Sequence, residues 1–226
     1  MERKNIYVVG AQCTGKTTLV KALADRFAAD STTEVSTTSP PVIIKEVARS
    51  VLKEHAFVAA DIRNSEERAF EFQKLILKAQ AEAESFVSSG GDRFISDRSG
   101  LDCLIYAQMY AGPGAPERLM KGEDWRQCLR LLSDALIVVC EPVLAWSYDD
   151  GTRLMPTDDA EWIQLHATFS QFLERLGLAY VILSKDITDQ QSRVDFVMGK
   201  LEDQEAARDG ILKIDEGVSS ENGMAL

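Results

Sequence analysis

Eight residues near the N-terminus, Gly10-Ala11-Gln12-Cys13-Thr14-Gly15-Lys16-Thr17, bring two glycines, a lysine and a hydroxyl together at the spacing G-x-x-x-x-G-K-S/T. Glycines let a backbone turn tightly enough to aim successive N–H groups inward, and a helix starting there adds the positive end of its dipole. The result is an anion socket: Lys16 is expected to reach β- and γ-phosphates and the Thr17 hydroxyl to hold Mg²⁺. ATP and Mg²⁺ are therefore the expected ligands. The expected nucleotide contacts are Gly10, Gln12, Cys13, Thr14, Gly15, Lys16, Thr17 and Thr18. Cys13 fills a variable position of the pattern and is given no catalytic role. A glycine turn with an incidental lysine is the bland alternative. The apolar run Ile6-Tyr7-Val8-Val9 before the loop and the helical pattern after it favour the phosphate reading.

The rest of the chain supplies elements of the kind such a loop needs. Leu19, Val20, Leu23 and Phe27 fall at helical spacing and predict a helix over 16–29. A Ser/Thr-rich stretch with two prolines, 30–41, reads as a solvated connection. Val42-Ile43-Ile44 reads as a buried strand that delivers Lys45-Glu46 to its C-terminal end, where open α/β sheets bind ligands. A helix is expected from Val47 to about His55. A long one follows, with Asn64 and Glu67 as its capping box, Ala69, Phe72, Ile76, Ala79, Ala83 and Phe86 as its apolar face, and Gly90-Gly91 as its stop. Phe94-Ile95-Ser96, Ala135 to Cys140 and Ala179 to Leu183 read as further strands, with helices between and after them, the last ending near Glu205. Trp162, Leu165, Phe169, Phe172, Leu173 and Leu176 form the face of a helix capped by Asp158, and His166 reads as packed there rather than chemical. Five alternations of strand and helix predict an α/β fold with one doubly wound, five-stranded parallel sheet and helices on both faces. The expected domain is 1–205, with a lid over about 143–159 and a weakly ordered acidic tail at 206–226.

Composition narrows the partners. With 36 acidic against 25 basic residues the formal charge is −11, which argues against nucleic-acid and anionic membrane surfaces. No apolar run approaches spanning length, so membrane insertion is not expected. Cys13, Cys103, Cys128 and Cys140 lie far apart with no C-x-x-C, suggesting neither a zinc site nor a disulfide framework. Reduced thiols and a cytoplasmic location are the expectation.

A P-loop needs an acid near its metal, and two strands end in one: Asp97 after Phe94-Ile95-Ser96, and Glu141 after the more apolar run. Apolarity alone favours Glu141. Asp97-Arg98-Ser99, however, resembles the D-R or E-R that commonly closes the strand beside the P-loop strand in P-loop kinases, carboxylate near the metal and arginine near the transferred phosphate. Together with Lys45-Glu46-Val47-Ala48-Arg49, the lid-like Asp150-Gly151-Thr152-Arg153 and the helix carrying His166, the sequence resembles the ATPase-domain family that contains the nicotinamide-riboside kinase domain of NadR. Phe72-Gln73 is similar to the pair by which deoxynucleoside kinases recognise a base.

The resemblance implies a P-loop NTPase of the nucleoside- and nucleotide-kinase type, with Lys16, Glu46, Asp97, Arg98 and Arg153 as its catalytic residues. Glu46, Arg49, Gln73 and Arg98 would bind the acceptor, and Thr17 with Asp97 would hold the metal. Arg153, the only Lys or Arg between Arg130 and Arg175, would close over the phosphates; the second basic lid residue of the kinase pattern is replaced by Asp158, Asp159 and Glu161. The expected activity is ATP/Mg²⁺-dependent transfer to a hydroxyl of a small, nucleoside-like molecule, nicotinamide riboside being one candidate. The alternative is a regulatory nucleotide-binding NTPase without a small-molecule acceptor, for which Glu46 would be dispensable. Ser184-Lys185-Asp186 lacks the N-K-x-D signature of guanine recognition.

Overall fold

The computed structural model describes residues 4–31, 39–146 and 158–221. At its centre lies β1 (Ile6–Val9), all four residues buried. The run is continuously apolar because both faces of the strand are covered. Ile6 and Val8 face one helical layer, where Leu19, Leu23, Phe27, Val194 and Val197 pack. Tyr7 and Val9 face the other, with Leu77, Leu101, Leu104 and Phe169. β1 pairs in parallel with β3 (Phe94–Asp97) on one side and β4 (Leu136–Cys140) on the other. β2 (Val42–Ile44) and β5 (Val181–Leu183) form the edges, giving the order β2-β3-β1-β4-β5. Chain order reverses at β1, so the crevice beyond the C-terminal ends of β1, β3 and β4 is the natural ligand position.

Nine helices are described: α1 (Lys16–Ser31), α2 (Ala48–Glu54), α3 (Ala59–Asn64), α4 (Glu66–Ser89), α5 (Gly100–Tyr110), α6 (Ala115–Met120), α7 (Glu123–Ser133), α8 (Asp159–Arg175) and α9 (Gln190–Glu221). The expected strands and principal helices are present. Among the described residues no helix is long and apolar enough to cross a membrane.

Four expectations shift. Val42–Ile44, read as a buried strand, is an edge strand on which Val42 and Ile43 are exposed. Asn64 ends α3, and Ser65 caps α4 instead, its hydroxyl accepting from the Arg68 N–H at 3.2 Å. Phe86, read as part of the α4 apolar face, is 83% exposed. The buried stripe of α4 runs through Gln73, Gln80 and Glu84, so apolar periodicity alone misplaces it. Helix α9 continues past the expected end at 205, through a segment rich in good helix formers such as Ala206, Ala207 and Leu212. The lid segment falls largely on 147–157, outside the described residues.

Glu84 is fully buried, and burial, the largest effect, pushes its carboxyl up to about 7 from the ordinary 4.5. A carboxyl whose pKa rises on folding favours the folded state at low pH, and that stability is lost as pH climbs from about 4.5 to about 7. Glu84→Gln removes the titration. Its melting temperature relative to wild type is therefore expected to rise between about pH 5 and about pH 8, which calorimetry at the two pH values checks.

Candidate active site

The P-loop leaves β1 through Gly10 at φ +132, where an added Cβ would lie 2.7 Å from the Cys140 carbonyl oxygen of β4. Only glycine permits both that backbone conformation and that approach. Inside the loop, the Thr14 hydroxyl donates to the Ala11 carbonyl at 3.0 Å. The Lys16 ammonium lies back over the loop, donating to the Ala11 carbonyl and, at 3.3 Å, to the Thr14 hydroxyl. Two further carbonyls are tied from distant helices. Trp162 Nε1–H of α8 donates to the Gln12 carbonyl at 2.9 Å, and the Arg193 guanidinium of α9 donates to the Thr14 carbonyl at 2.9 Å. Arg193 also sits 5.0 Å from the Trp146 ring, whose edge would meet a Cβ at Gly15 within 2.8 Å. Loop carbonyls held by outside donors leave its N–H groups to face an anion.

Beside the loop, Thr17 Oγ1 donates to Asp97 Oδ2 at 2.5 Å. Glu141 behaves differently: it accepts from the Lys185 N–H at 2.9 Å, lies 3.9 Å from His166 Nε2 and does not line the cavity over the P-loop. The geometry thus puts Asp97, not Glu141, next to Thr17.

Arg98 follows at φ +86, and its N–H bonds to the Val8 carbonyl at 3.0 Å. Its guanidinium, 14% exposed, donates through Nε to Glu46 Oε1 at 2.5 Å and through Nη1 to Asp102 Oδ1 at 3.1 Å. Asp102 is held in turn by the N–H and hydroxyl of Ser99, the cap of α5. Arg49 donates to the second oxygen of Glu46 at 3.0 Å. The electrostatics follow from this packing. Arg98 above all holds the Glu46 carboxyl down at about 2. Burial opposes the Arg98 charge, but Glu46 and its neighbours outweigh it and keep the guanidinium firmly protonated. Burial, with Arg98 nearby, lowers the Lys16 ammonium to about 8.

Two cavities meet here. One of about 360 Å³ lies over the P-loop, lined by residues 12–19, Asp97, Trp146, Thr188, Gln190 and Arg193. The other, about 90 Å³, is flanked by Arg49, Phe72, Gln73, Gln80 and Tyr106. Gln12, Glu46 and Arg98 line both. The candidates Lys16, Thr17, Thr18, Glu46, Arg49, Gln73, Asp97 and Arg98 therefore converge, Gly10 shapes the loop from beneath, and Arg153 lies outside the described residues. Trp146, Thr188, Gln190 and Arg193 were not legible in advance. Trp162 was, but only as an apolar residue of its helix face, since nothing in the spacing reveals that its N–H finds a carbonyl 150 positions away.

The strand order, all-parallel pairing and loop position define a P-loop fold of the kinase type. Residues 5–191 match the family described as AAA domain, and the chain belongs to that family. Solved structures share the fold: a NadR protein in complex with NR (TM-score 0.65, 21% identity, 88% of this chain and 52% of that one) and a NadR protein with NAD and AMP-PNP (0.62, 20%, 89% and 49%). A deoxyadenosine kinase from M. mycoides with bound dATP also matches (0.55, 14%, 88% and 99%). This chain spans about half the length of the NadR chains. No curated protein sequence matches it.

A phosphate in the loop favours the charged form of Lys16, so nucleotide binding is linked to protonation. Below about 8 the ammonium is already charged; above it, binding must take up a proton. ATP affinity is expected to be flat below that pH and to fall by up to about tenfold per pH unit above it. Calorimetric titration in two buffers of different ionisation enthalpy checks both the fall and the proton uptake.

Proposed function

We propose that the protein is an ATP- and Mg²⁺-dependent phosphotransferase acting on a hydroxyl of a small, nucleoside-like molecule, with nicotinamide riboside one candidate. The observation that carries this reading is the junction of the two cavities at Gln12, Glu46 and Arg98. A nucleotide socket alone would serve a switch or a hydrolase. A second, smaller pocket opening onto the same charged pair suits an acceptor whose hydroxyl must meet the γ-phosphate.

The residues fit the metal. Thr17 and Asp97 offer hard oxygen donors side by side, and the described residues hold no cluster of three or more acidic, histidine or cysteine ligands. That matches Mg²⁺, which takes one or two protein oxygens and completes its shell with phosphates and water. When bound between Thr17 and Asp97, the ion would supply positive charge at the phosphates.

The chain's own residues do the rest. Lys16 leaves the Ala11 carbonyl for the β- and γ-phosphates, and the loop N–H groups hold the remaining oxygens. Glu46, ionised throughout the working range, accepts a hydrogen bond from the acceptor hydroxyl and orients it. So weak a base takes the proton late, which suits a loose transition state in which the nucleophile needs little activation. Arg98 neutralises charge at the junction, Arg49 and Gln73 line the acceptor side, and the resemblance assigns Arg153 to the phosphates in transfer. In this reading residues 1–205 are the working unit, with 143–159 as its lid.

The test follows ADP release with ATP and Mg²⁺ across nucleosides, nicotinamide riboside and other hydroxyl metabolites. Acceptor-stimulated turnover is expected, abolished in Lys16→Ala and reduced roughly 10²–10⁴-fold in kcat by Glu46→Ala. Gln73→Ala is expected to raise the acceptor KM with kcat nearly unchanged. Nucleotide binding that no acceptor stimulates would instead support a regulatory NTPase.

A further inference from the structure

One wall of the acceptor cavity is built from a side chain that the proposed chemistry does not use. Gln80, 1% exposed, lines the cavity from α4. Its Nε2 donates to Glu84 Oε1 at 2.8 Å and to Ser96 Oγ of β3 at 3.0 Å. Both amide hydrogens are thus spent behind the cavity wall. Oε1 of Gln80 takes no hydrogen bond from the described residues.

An amide is nearly symmetric in shape and opposite in hydrogen bonding at its two ends, so its orientation is set by its partners. Glu84 is the partner with a sign. As a carboxylate it only accepts and demands the NH₂ end; as a carboxylic acid it can donate, and then it suits the carbonyl end. Ser96 adapts to either, because a hydroxyl both donates and accepts.

We propose that Glu84 is a positioning residue that selects which end of the Gln80 amide the acceptor meets. Ionised, it keeps the carbonyl oxygen toward the cavity, and the acceptor is required to bring a donor. Protonated, its O–H donates to that carbonyl and the amide turns its NH₂ toward the cavity, so that an acceptor-type edge is preferred. The selectivity half of this inference rests on the kinase reading; the amide orientation does not.

The surroundings make Glu84 the group that changes state near neutrality. Facing it are the Tyr7 phenol of β1, the Cys103 thiol of α5 and the Cys128 thiol of α7, each pushed up chiefly by burial and so uncharged there. Burial raises Glu84 itself to about 7, outweighing the hydrogen bonds from Gln80, Tyr7 and Cys128 that favour its ionised form.

Two readouts test the proposal on the whole chain. The first is the ¹H–¹⁵N spectrum of the side-chain amides, with Gln80 assigned by its loss in Gln80→Met. The Gln80 NH₂ signals are expected to titrate between about pH 6 and about pH 8, and the titration to vanish in the near-isosteric Glu84→Gln. The second is kcat/KM for two isosteric pairs, cytidine with uridine and adenosine with inosine, which exchange an amino donor for a carbonyl. Wild type is expected to shift its ratio toward the amino member by about fivefold or more from about pH 6 to about pH 8, and Glu84→Gln to show no shift. A Gln80 amide that ignores pH overturns the proposal whatever the assays give. A titrating amide with turnover whose ratios stay constant overturns the selectivity half. A titrating amide in a protein that phosphorylates no acceptor supports the orientation switch and counts against the kinase reading.

Discussion

The buried charge of Arg98 is the constraint around which the site is built. A guanidinium taken out of water costs several kcal/mol unless it is paired and hydrogen-bonded on more than one side. Here the partners of the charge come from two places, Glu46 after β2 and Asp102 in the first turn of α5, while the backbone N–H separately bonds the Val8 carbonyl of β1. Satisfying the cation therefore fixes the edge strand and a helix start relative to one another, and the backbone of the same residue ties both to the central strand. The wall between the two cavities is a by-product of that pairing. Its cost appears in the backbone, since a non-glycine residue at φ +86 is held in a sparsely populated region.

The P-loop depends on the same logic turned inside out. Its N–H groups are left for a ligand, so its carbonyls must be dealt with by the protein. The Ala11 carbonyl is met from within, while those of Gln12 and Thr14 are met by Trp162 and Arg193, two residues from distant helices. Trp146 closes the outer side by packing on Gly15 with Arg193 beside it. The loop is thus braced from α8 and α9, far from the motif in sequence.

How much of this was legible in the sequence follows from the range of each interaction. The loop motif, the strands and their order of helices were readable because each rests on neighbours within a few residues: glycine spacing, apolar runs, caps. Apolarity alone favoured Glu141, whereas the pairing of β3 beside β1 is what brings Asp97, and not Glu141, to Thr17. Helix α4 shows the limit from another side. Its inward stripe carries Gln73, Gln80 and Glu84, and a method that looks for apolar residues passes over them and picks Phe86 instead. Polar groups buried for a purpose are invisible to periodicity.

The tether from Arg193 to Thr14 spans 179 positions. A chain emerges from the ribosome at roughly 5–20 residues per second, so the phosphate loop waits on the order of ten to forty seconds for the residue that braces it. During that interval β1 can pair with β3 and β4, but the loop carbonyls at Gln12 and Thr14 lack their donors. The bracing of the loop therefore arrives only once α9 has been made, and a truncated product that stops short of α9 carries the motif intact without that support.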